Sequence, residues 1–198
     1  MALTAAVFLD KDGTLLADEP YNVDPDRMEF APGAFEGLRR LGAIGLPLIV
    51  ISNQSGVALG RFPRQALRPV RARLARLFAA AGAKLAGFYY CPHDPIGKVA
   101  AYARHCQCRK PAPGLLLHAA QWHHIDLSAS WLVGDILHDV EAGNRAGCRT
   151  VLLDVGNETE WQMGAFRQPD YCAENLAAAA RIIANSLSGE GRRYDARG

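Results

Sequence analysis

The sequence lacks any apolar run approaching the ~18 residues that a membrane-spanning helix requires. It also lacks a dominant charge: 22 Lys and Arg face 20 Asp and Glu, a formal net charge of +2. That balance is too even to imply an obligate nucleic-acid or polyanion partner. No basic stretch precedes the apolar residues at 1–9, so no targeting leader is read there and a cytoplasmic protein is expected. Internal repeats and low-complexity segments are missing. Cysteine is sparse and odd in number, with five in 198 residues. Without a secretory signal, this argues against a disulfide framework. A monomer with no nucleic-acid and no membrane partner is the expected state.

What is present is a globular composition, 49% hydrophobic, enough to build a sizeable core. The length fits one domain over residues 1–188, followed by a small, charged tail at 189–198 that is expected to fray. Short apolar runs at 5–9, 46–51, 85–90, 131–133 and 149–153 read as buried strands. Helical segments separate them. One opens at Pro32-Gly33 and runs to about Leu41. A second starts near Pro63, carries Leu67, Val70, Leu74, Leu77 and Phe78 at helical spacing, and closes at Gly82. Others run from Pro113 to about Trp122, from Asp139 to Ala146, and from about Glu174 to Leu187. This alternation predicts an α/β fold with a mostly parallel sheet covered on both faces. The basic run Arg61, Arg64, Arg68, Arg71, Arg73, Arg76 and Lys84 follows the second helix. Its apolar stripe and lack of interleaved aromatics make it a solvated face, not a nucleic-acid groove. His118, His123 and His124 read as packing or surface residues, and Cys148 and Cys172 as ordinary thiols.

Two connections are long, Lys11 to Ala31 and Cys91 to Lys110, and loops of that length usually have a task or a staple. The first begins Asp10-Lys11-Asp12-Gly13-Thr14, directly after a buried strand. Asp135 ends another strand. A lone Asp at such a place is commonly a helix cap. Three carboxyl groups gathered in one volume would repel unless a cation joined them, and hard oxygen ligands select Mg²⁺. Gly13, Ser52, Asn53 and Lys110 fall at loop positions of the same kind, which capping does not explain. Lys11 is expected to point away from its neighbours' face.

In the second loop, Cys91-x-His93 and Cys106-x-Cys108 are ligand pairs separated by twelve residues. Three thiolates and an imidazole suit tetrahedral Zn²⁺, and four protein ligands make a closed, structural site. The plain alternative is a set of reduced, metal-free thiols. His105, adjacent to Cys106, is badly placed to ligate the same ion, so His93 is preferred.

Asp10-Lys11-Asp12-Gly13-Thr14-Leu15 resembles the first motif of haloacid-dehalogenase-type phosphatases. Ser52 matches the hydroxyl residue of the second, Lys110 the basic residue of the third, and Gly134-Asp135 with Asp139 the fourth. More narrowly, the chain resembles the D,D-heptose bisphosphate 7-phosphatase and histidinol-phosphatase branch. The supporting segments are Ser52-Asn53-Gln54-Ser55-Gly56-Val57, Cys91-Pro92-His93 and Cys106-Gln107-Cys108-Arg109-Lys110-Pro111, and the likeness covers roughly 5–153. It implies a Rossmann-like three-layer sandwich with strand order 3-2-1-4-5, no large cap domain and a zinc-stapled loop.

The resemblance also implies the chemistry. Asp10 is the expected nucleophile, forming an aspartyl phosphate, and Asp12 the acid and then the base. Mg²⁺ is expected on Asp10, Asp135 and the main-chain carbonyl of Asp12. Ser52 and Lys110 are expected to hold phosphoryl oxygens, with N–H groups near Gly13 and Asn53. Arg109, Asp18, Tyr21 and Asn22 are candidates for substrate contact, with Arg109 suited to sugar hydroxyls or a remaining phosphate. Many relatives carry an acidic residue where Ile136 stands. Asp139 is a candidate to support the metal or Lys110 from behind the direct ligands, or simply to bond around the short helix. His138, beside it, is a weaker candidate. The expected substrate is a small phosphorylated sugar. Foremost is D-glycero-D-manno-heptose 1,7-bisphosphate losing its 7-phosphate, in ADP-heptose supply for lipopolysaccharide; histidinol phosphate is the alternative.

Overall fold

The computed structural model describes residues 3–188, so the expected tail at 189–198 lies outside the described residues. Along them the chain runs β1 (Val7–Leu9), α1 (Ala34–Ile44), β2 (Leu48–Asn53), α2 (Leu67–Ala80), β3 (Leu85–Cys91), α3 (Gly114–His123), β4 (Trp131–Gly134), α4 (Leu137–Ala146), β5 (Arg149–Leu153), β6 (Tyr171–Ala173) and α5 (Leu176–Leu187). Each strand pair is parallel, and the order is β3-β2-β1-β4-β5-β6. This is a Rossmann-like α/β fold with the expected 3-2-1-4-5 order, extended at one edge by β6. That strand has no counterpart in the sequence reading, because Tyr171 and Cys172 are exposed and only Ala173 is buried. Such a segment carries no apolar run.

Strand side chains alternate between two layers, as the pleat requires. Val7, Leu9, Leu48, Val50, Trp131, Val133, Val151 and Leu153 pack with α1, α2 and α5. Phe8, Ile49, Ile51 and Leu132 pack on the opposite face, against Leu115, Leu116, Ala119 and Ala120 of α3 and Ala142 of α4. Each such fully buried side chain contributes ~1.5–3 kcal/mol, so the two layers fix the register of the sheet and thereby where its strand ends lie. Helix α1 meets α5 closely at Gly37, where a Cβ would sit 2.7 Å from the main-chain carbon of Leu176.

Pro63 is extended (φ −73°, ψ 152°), and a 3₁₀ turn at Arg64–Ala66 precedes α2, so that helix starts later than expected. Its stripe of Leu67, Val70, Leu74, Leu77 and Phe78 is buried, with Arg68, Arg71 and Arg76 exposed. No helix among the described residues is long and apolar enough to cross a membrane.

The strand order reverses between β1 and β4, where the chain crosses back over β1. In open α/β sheets the carboxyl ends of strands at such a point form the ligand crevice. The connections after β1, β2, β3, β4 and β5 all leave from this edge.

Candidate active site

Asp10 follows β1, Asp135 follows β4, and Asp139 lies in the first turn of α4; all three are buried. A carboxylate oxygen from each lies within 4.8 Å of the others. Lys110, 3% exposed, projects into this group. Its Nζ lies 2.5 Å from Asp10 Oδ1 and 2.5 Å from Asp139 Oδ1, and donates to the Ile51 carbonyl at 3.1 Å. Three strand ends and the loop after β3 thus meet at one point.

The electrostatics follow from burial and crowding. Burial, then the charges of Asp10 and Asp139, push the Asp135 carboxyl up to about 8. Burial likewise lifts Asp139 to about 6; Lys110 opposes this and Asp10 adds to it. Burial alone would lower the Lys110 ammonium, but Asp10 and Asp139 outweigh it and hold the pKa above the usual lysine range. Hard carboxylate oxygens whose charged forms are disfavoured, first by burial and then by mutual repulsion at Asp135 and Asp139, fit a small divalent cation that would offset both.

Asp135 is itself held on both oxygens. Thr14 Oγ1 donates to Oδ1 at 3.0 Å and Asn157 Nδ2 to Oδ2 at 2.8 Å. Gly13, at φ +78°, leaves room for this: a Cβ there would stand 2.1 Å from Asp135 Oδ2. Its N–H donates to the Leu16 carbonyl at 2.9 Å. Gly13 therefore serves the site by lacking a side chain, and its N–H is not free to hold a phosphoryl oxygen as the sequence reading expects.

Asp12 sits at the mouth. Its Oδ1 pairs with Lys11 Nζ, and its Oδ2 accepts from Gln54 Nε2 at 3.2 Å. Gln54 Nε2 also donates to Ser52 Oγ at 2.8 Å. Burial raises the Asp12 carboxyl above its ordinary range, against the Lys11 charge. The expectation that Lys11 points away from its neighbours is corrected: it is 1% exposed and turned onto Asp12. Residues 11–16 form a turn, with Leu15 and Leu16 N–H both donating to the Lys11 carbonyl, so strand alternation does not apply.

Asn53 lies at the end of β2 beside Ser52. Its side-chain oxygen accepts from Lys110 N, and its Nδ2 donates to Lys110 O, each at 3.0 Å. The amide expected to touch substrate is engaged with the lysine's main chain. A hollow of about 160 Å³ is lined by Asp12, Pro20, Tyr21, Asn22, Asn53, Gln54, Ser55 and Gly56. Tyr21 and Asn22 are thereby brought to the site, whereas Asp18 is exposed and does not line it. Arg109 opens onto a neighbouring hollow of about 270 Å³, lined also by Arg104, His105, Lys110 and His138. Its guanidinium is braced by Asp94 Oδ2 at 3.1 Å and the His93 carbonyl at 3.3 Å.

Behind Arg109, Cys91, His93, Cys106 and Cys108 converge. Sulfur–sulfur distances are 3.0 Å (Cys91–Cys108), 3.4 Å (Cys106–Cys108) and 3.5 Å (Cys91–Cys106). His93 turns Nδ1 toward Cys108 Sγ at 3.3 Å. Four soft donors from a strand end and a returning loop make a cluster that could hold a metal ion, slightly tighter than the ~3.8 Å sulfur–sulfur edge of a tetrahedral zinc–thiolate site.

Sequence reasoning gave no role to Asn157 or Asp94 and only a general one to Gln54. Thr14 stands within the Asp10 motif, so position alone could have flagged it. Asn157 and Asp94 carry no local signature.

A family model described as HAD-hyrolase-like matches residues 107–179. The D-glycero-beta-D-manno-heptose-1,7-bisphosphate 7-phosphatase of Escherichia coli (strain K12) is 40% identical over 183 residues, covering 92% of this chain and 90% of that one. The protein of the same name from Pasteurella multocida (strain Pm70) is 38% identical over 180 residues, covering 90% and 96%. Among solved structures, the D,D-heptose 1.7-bisphosphate phosphatase of B. bronchiseptica, complexed with magnesium and phosphate, superposes with a TM-score of 0.77 at 28% identity, covering 92% of this chain and 99% of that chain. With the four motifs gathered on one sheet edge and identity sustained along nearly the whole length, the chain belongs to the haloacid-dehalogenase-like superfamily, within its D-glycero-β-D-manno-heptose-1,7-bisphosphate 7-phosphatase family.

Proposed function

We propose that this protein is a Mg²⁺-dependent phosphoric monoester hydrolase that removes the 7-phosphate of D-glycero-β-D-manno-heptose 1,7-bisphosphate. The observation that carries the proposal is the meeting of Asp10, Asp135, Asp139 and Lys110 at the switch point of the sheet. Asp10, Asp135 and the main-chain carbonyl of Asp12 would hold Mg²⁺, with Asp139 oriented on Lys110. When bound, the ion neutralises phosphoryl oxygens and lets an anion approach a carboxylate.

A carboxylate oxygen of Asp10 attacks phosphorus, and the bond from phosphorus to the sugar oxygen breaks. Asp12 gives its proton to that departing oxygen. Asp12, now ionised, takes a proton from water, whose oxygen attacks the aspartyl phosphate. The bond between phosphorus and Asp10 breaks, inorganic phosphate leaves, and Asp10 is restored. Ser52 Oγ, Lys110 Nζ and the Asn53 N–H hold the equatorial oxygens of the phosphoryl group as it is transferred.

A structural Zn²⁺ on Cys91, His93, Cys106 and Cys108 belongs to the same proposal. It fixes the turn that aims Arg109 and Lys110, the residues immediately after Cys108. Arg109 meets the phosphate that remains, and Tyr21 and Asn22 meet sugar hydroxyls. Two acidic groups that would favour the cationic histidinol phosphate are engaged within their own loop: Glu19 pairs with Arg27, and Asp24 accepts from Asp26 N at 3.0 Å. This supports the heptose bisphosphate; the proposal further takes the enzyme as a cytoplasmic monomer supplying ADP-heptose for lipopolysaccharide. The test is phosphate release with Mg²⁺ from both substrates. A kcat/KM at least about tenfold higher for the heptose bisphosphate is expected. Preference for histidinol phosphate overturns the substrate, and no release from any small phosphate ester overturns the reaction.

A further inference from the structure

We propose that Asn157 is a positioning residue for Asp135, and that the β5–β6 connection thereby sets affinity for the divalent ion; this rests on the Mg²⁺ reading above. Asn157 and Glu158 grip the β4–α4 turn from outside. Asn157 Nδ2 donates to Asp135 Oδ2 at 2.8 Å, and the Glu158 carboxylate accepts from Leu137 N at 2.7 Å, at the first residue of α4. The other Glu158 oxygen accepts from Glu160 N at 2.9 Å and so is tied into its own loop. The Asn157 amide is also packed in place, since a Cβ on Gly13 would stand 2.4 Å from Nδ2. With Thr14 on the other oxygen, Asp135 is clamped by two neutral donors arriving from different connections.

The neutrality is the chemical point. A lysine or arginine on Asp135 would compete with an incoming cation. An amide fixes the carboxylate plane and leaves its charge for the ion, and partners of this kind are typically worth 10–100-fold in metal affinity. Glu158 is the built-in comparison, because it anchors the same loop without touching Asp135.

The experiment is calorimetric titration of the full chain with Mg²⁺ alone, without substrate, for wild type, Asn157→Leu, Asn157→Ala and Glu158→Gln. The Asn157 variants are expected to bind Mg²⁺ about tenfold more weakly, and their activation by Mg²⁺ to shift to higher concentration by the same factor. Glu158→Gln, which keeps an acceptor for Leu137 N, is expected to bind more tightly than either. Circular dichroism identifies a misfolded variant, and the alanine variant then replaces the leucine one. Equal affinity in wild type and the Asn157 variants overturns the proposal. So does an equal loss in Glu158→Gln, which would make the effect general to the loop. A wild-type chain that binds no Mg²⁺ overturns the metal reading itself.

Discussion

Asn53 clasps the main chain of Lys110 across 57 residues of sequence, accepting from its N–H and donating to its carbonyl, each at 3.0 Å. Lys110 is therefore registered to the end of β2 by a side chain that does not touch its ammonium. Asn53→Leu leaves the Lys110 peptide groups unpaired and loosens the main chain that carries the ammonium to Asp10, Asp139 and the Ile51 carbonyl. We expect a loss of about 1–3 kcal/mol in stability and, since a shift near 1 Å can cost ~10²-fold, a comparable fall in kcat/KM. Denaturant unfolding and steady-state kinetics check both, and a variant with near-normal kcat/KM contradicts the clasp.

Gln54 links Asp12 to Ser52 through one amide nitrogen. If that nitrogen aims Asp12, Gln54→Leu should harm substrates whose leaving group needs a proton more than those whose leaving group does not. The expected result is a larger fall in kcat/KM for an alkyl phosphate than for p-nitrophenyl phosphate, with Asp12→Asn showing the same asymmetry at about 10²–10⁴-fold. Equal losses on both substrates would assign Gln54 a general structural part.

Stability should respond to pH and Mg²⁺ together. The folded-state pKa values of Asp135 and Asp139 are raised, to about 8 and about 6, so without metal both favour the protonated form. Stability from these two acids is fully present below their unfolded pKa near 3.8 and is lost as pH rises through 6 and 8. Mg²⁺ on Asp135 would take the place of its proton, and the ion's charge would ease the ionisation of Asp139 beside it. The Mg²⁺-induced rise in Tm should therefore be larger at pH 8 than at pH 5. At 100 times Kd the ion adds about 2.7 kcal/mol, roughly 5–10 °C for a chain of this size. A Tm shift that shrinks toward pH 8 is inconsistent with carboxylate ligands.

For the zinc site proposed on the cysteine cluster, Cys108→Ser should lower bound zinc and turnover together, because Arg109 and Lys110 follow directly. Elemental analysis and kinetics on the same sample provide the check. Normal turnover in demonstrably zinc-free protein separates the loop from catalysis.

Much of this site was readable before any coordinates, for a physical reason. Residues at the carboxyl ends of buried parallel strands are brought together by the sheet itself, so Asp10, Ser52 and Asp135 could be paired without knowing a single contact. The cysteine and histidine spacing was equally self-contained. What escaped depends on long-range packing or on local turns. Asn157 sits in a polar connection that resembles any other surface loop, and its partner is 22 residues away. Strand alternation turns Lys11 away from its neighbours, but it ends at Asp10, where the turn of residues 11–16 begins. The sequence allows Asp139 either helix bonding or a part in the site. It does both, accepting from Ile136 N at 3.4 Å while pairing with Lys110. Strand β6 hid because an edge strand can be short and wet.

The buried quartet of Asp10, Asp135, Asp139 and Lys110 has a consequence for ion choice. Fully ionised, three anions and one cation stop two charges short of neutrality. A potassium ion would leave the chamber still repelling the substrate, and a trivalent ion would overshoot and cling to the product. Preference among cations thus begins with valence, before radius or coordination number has any say.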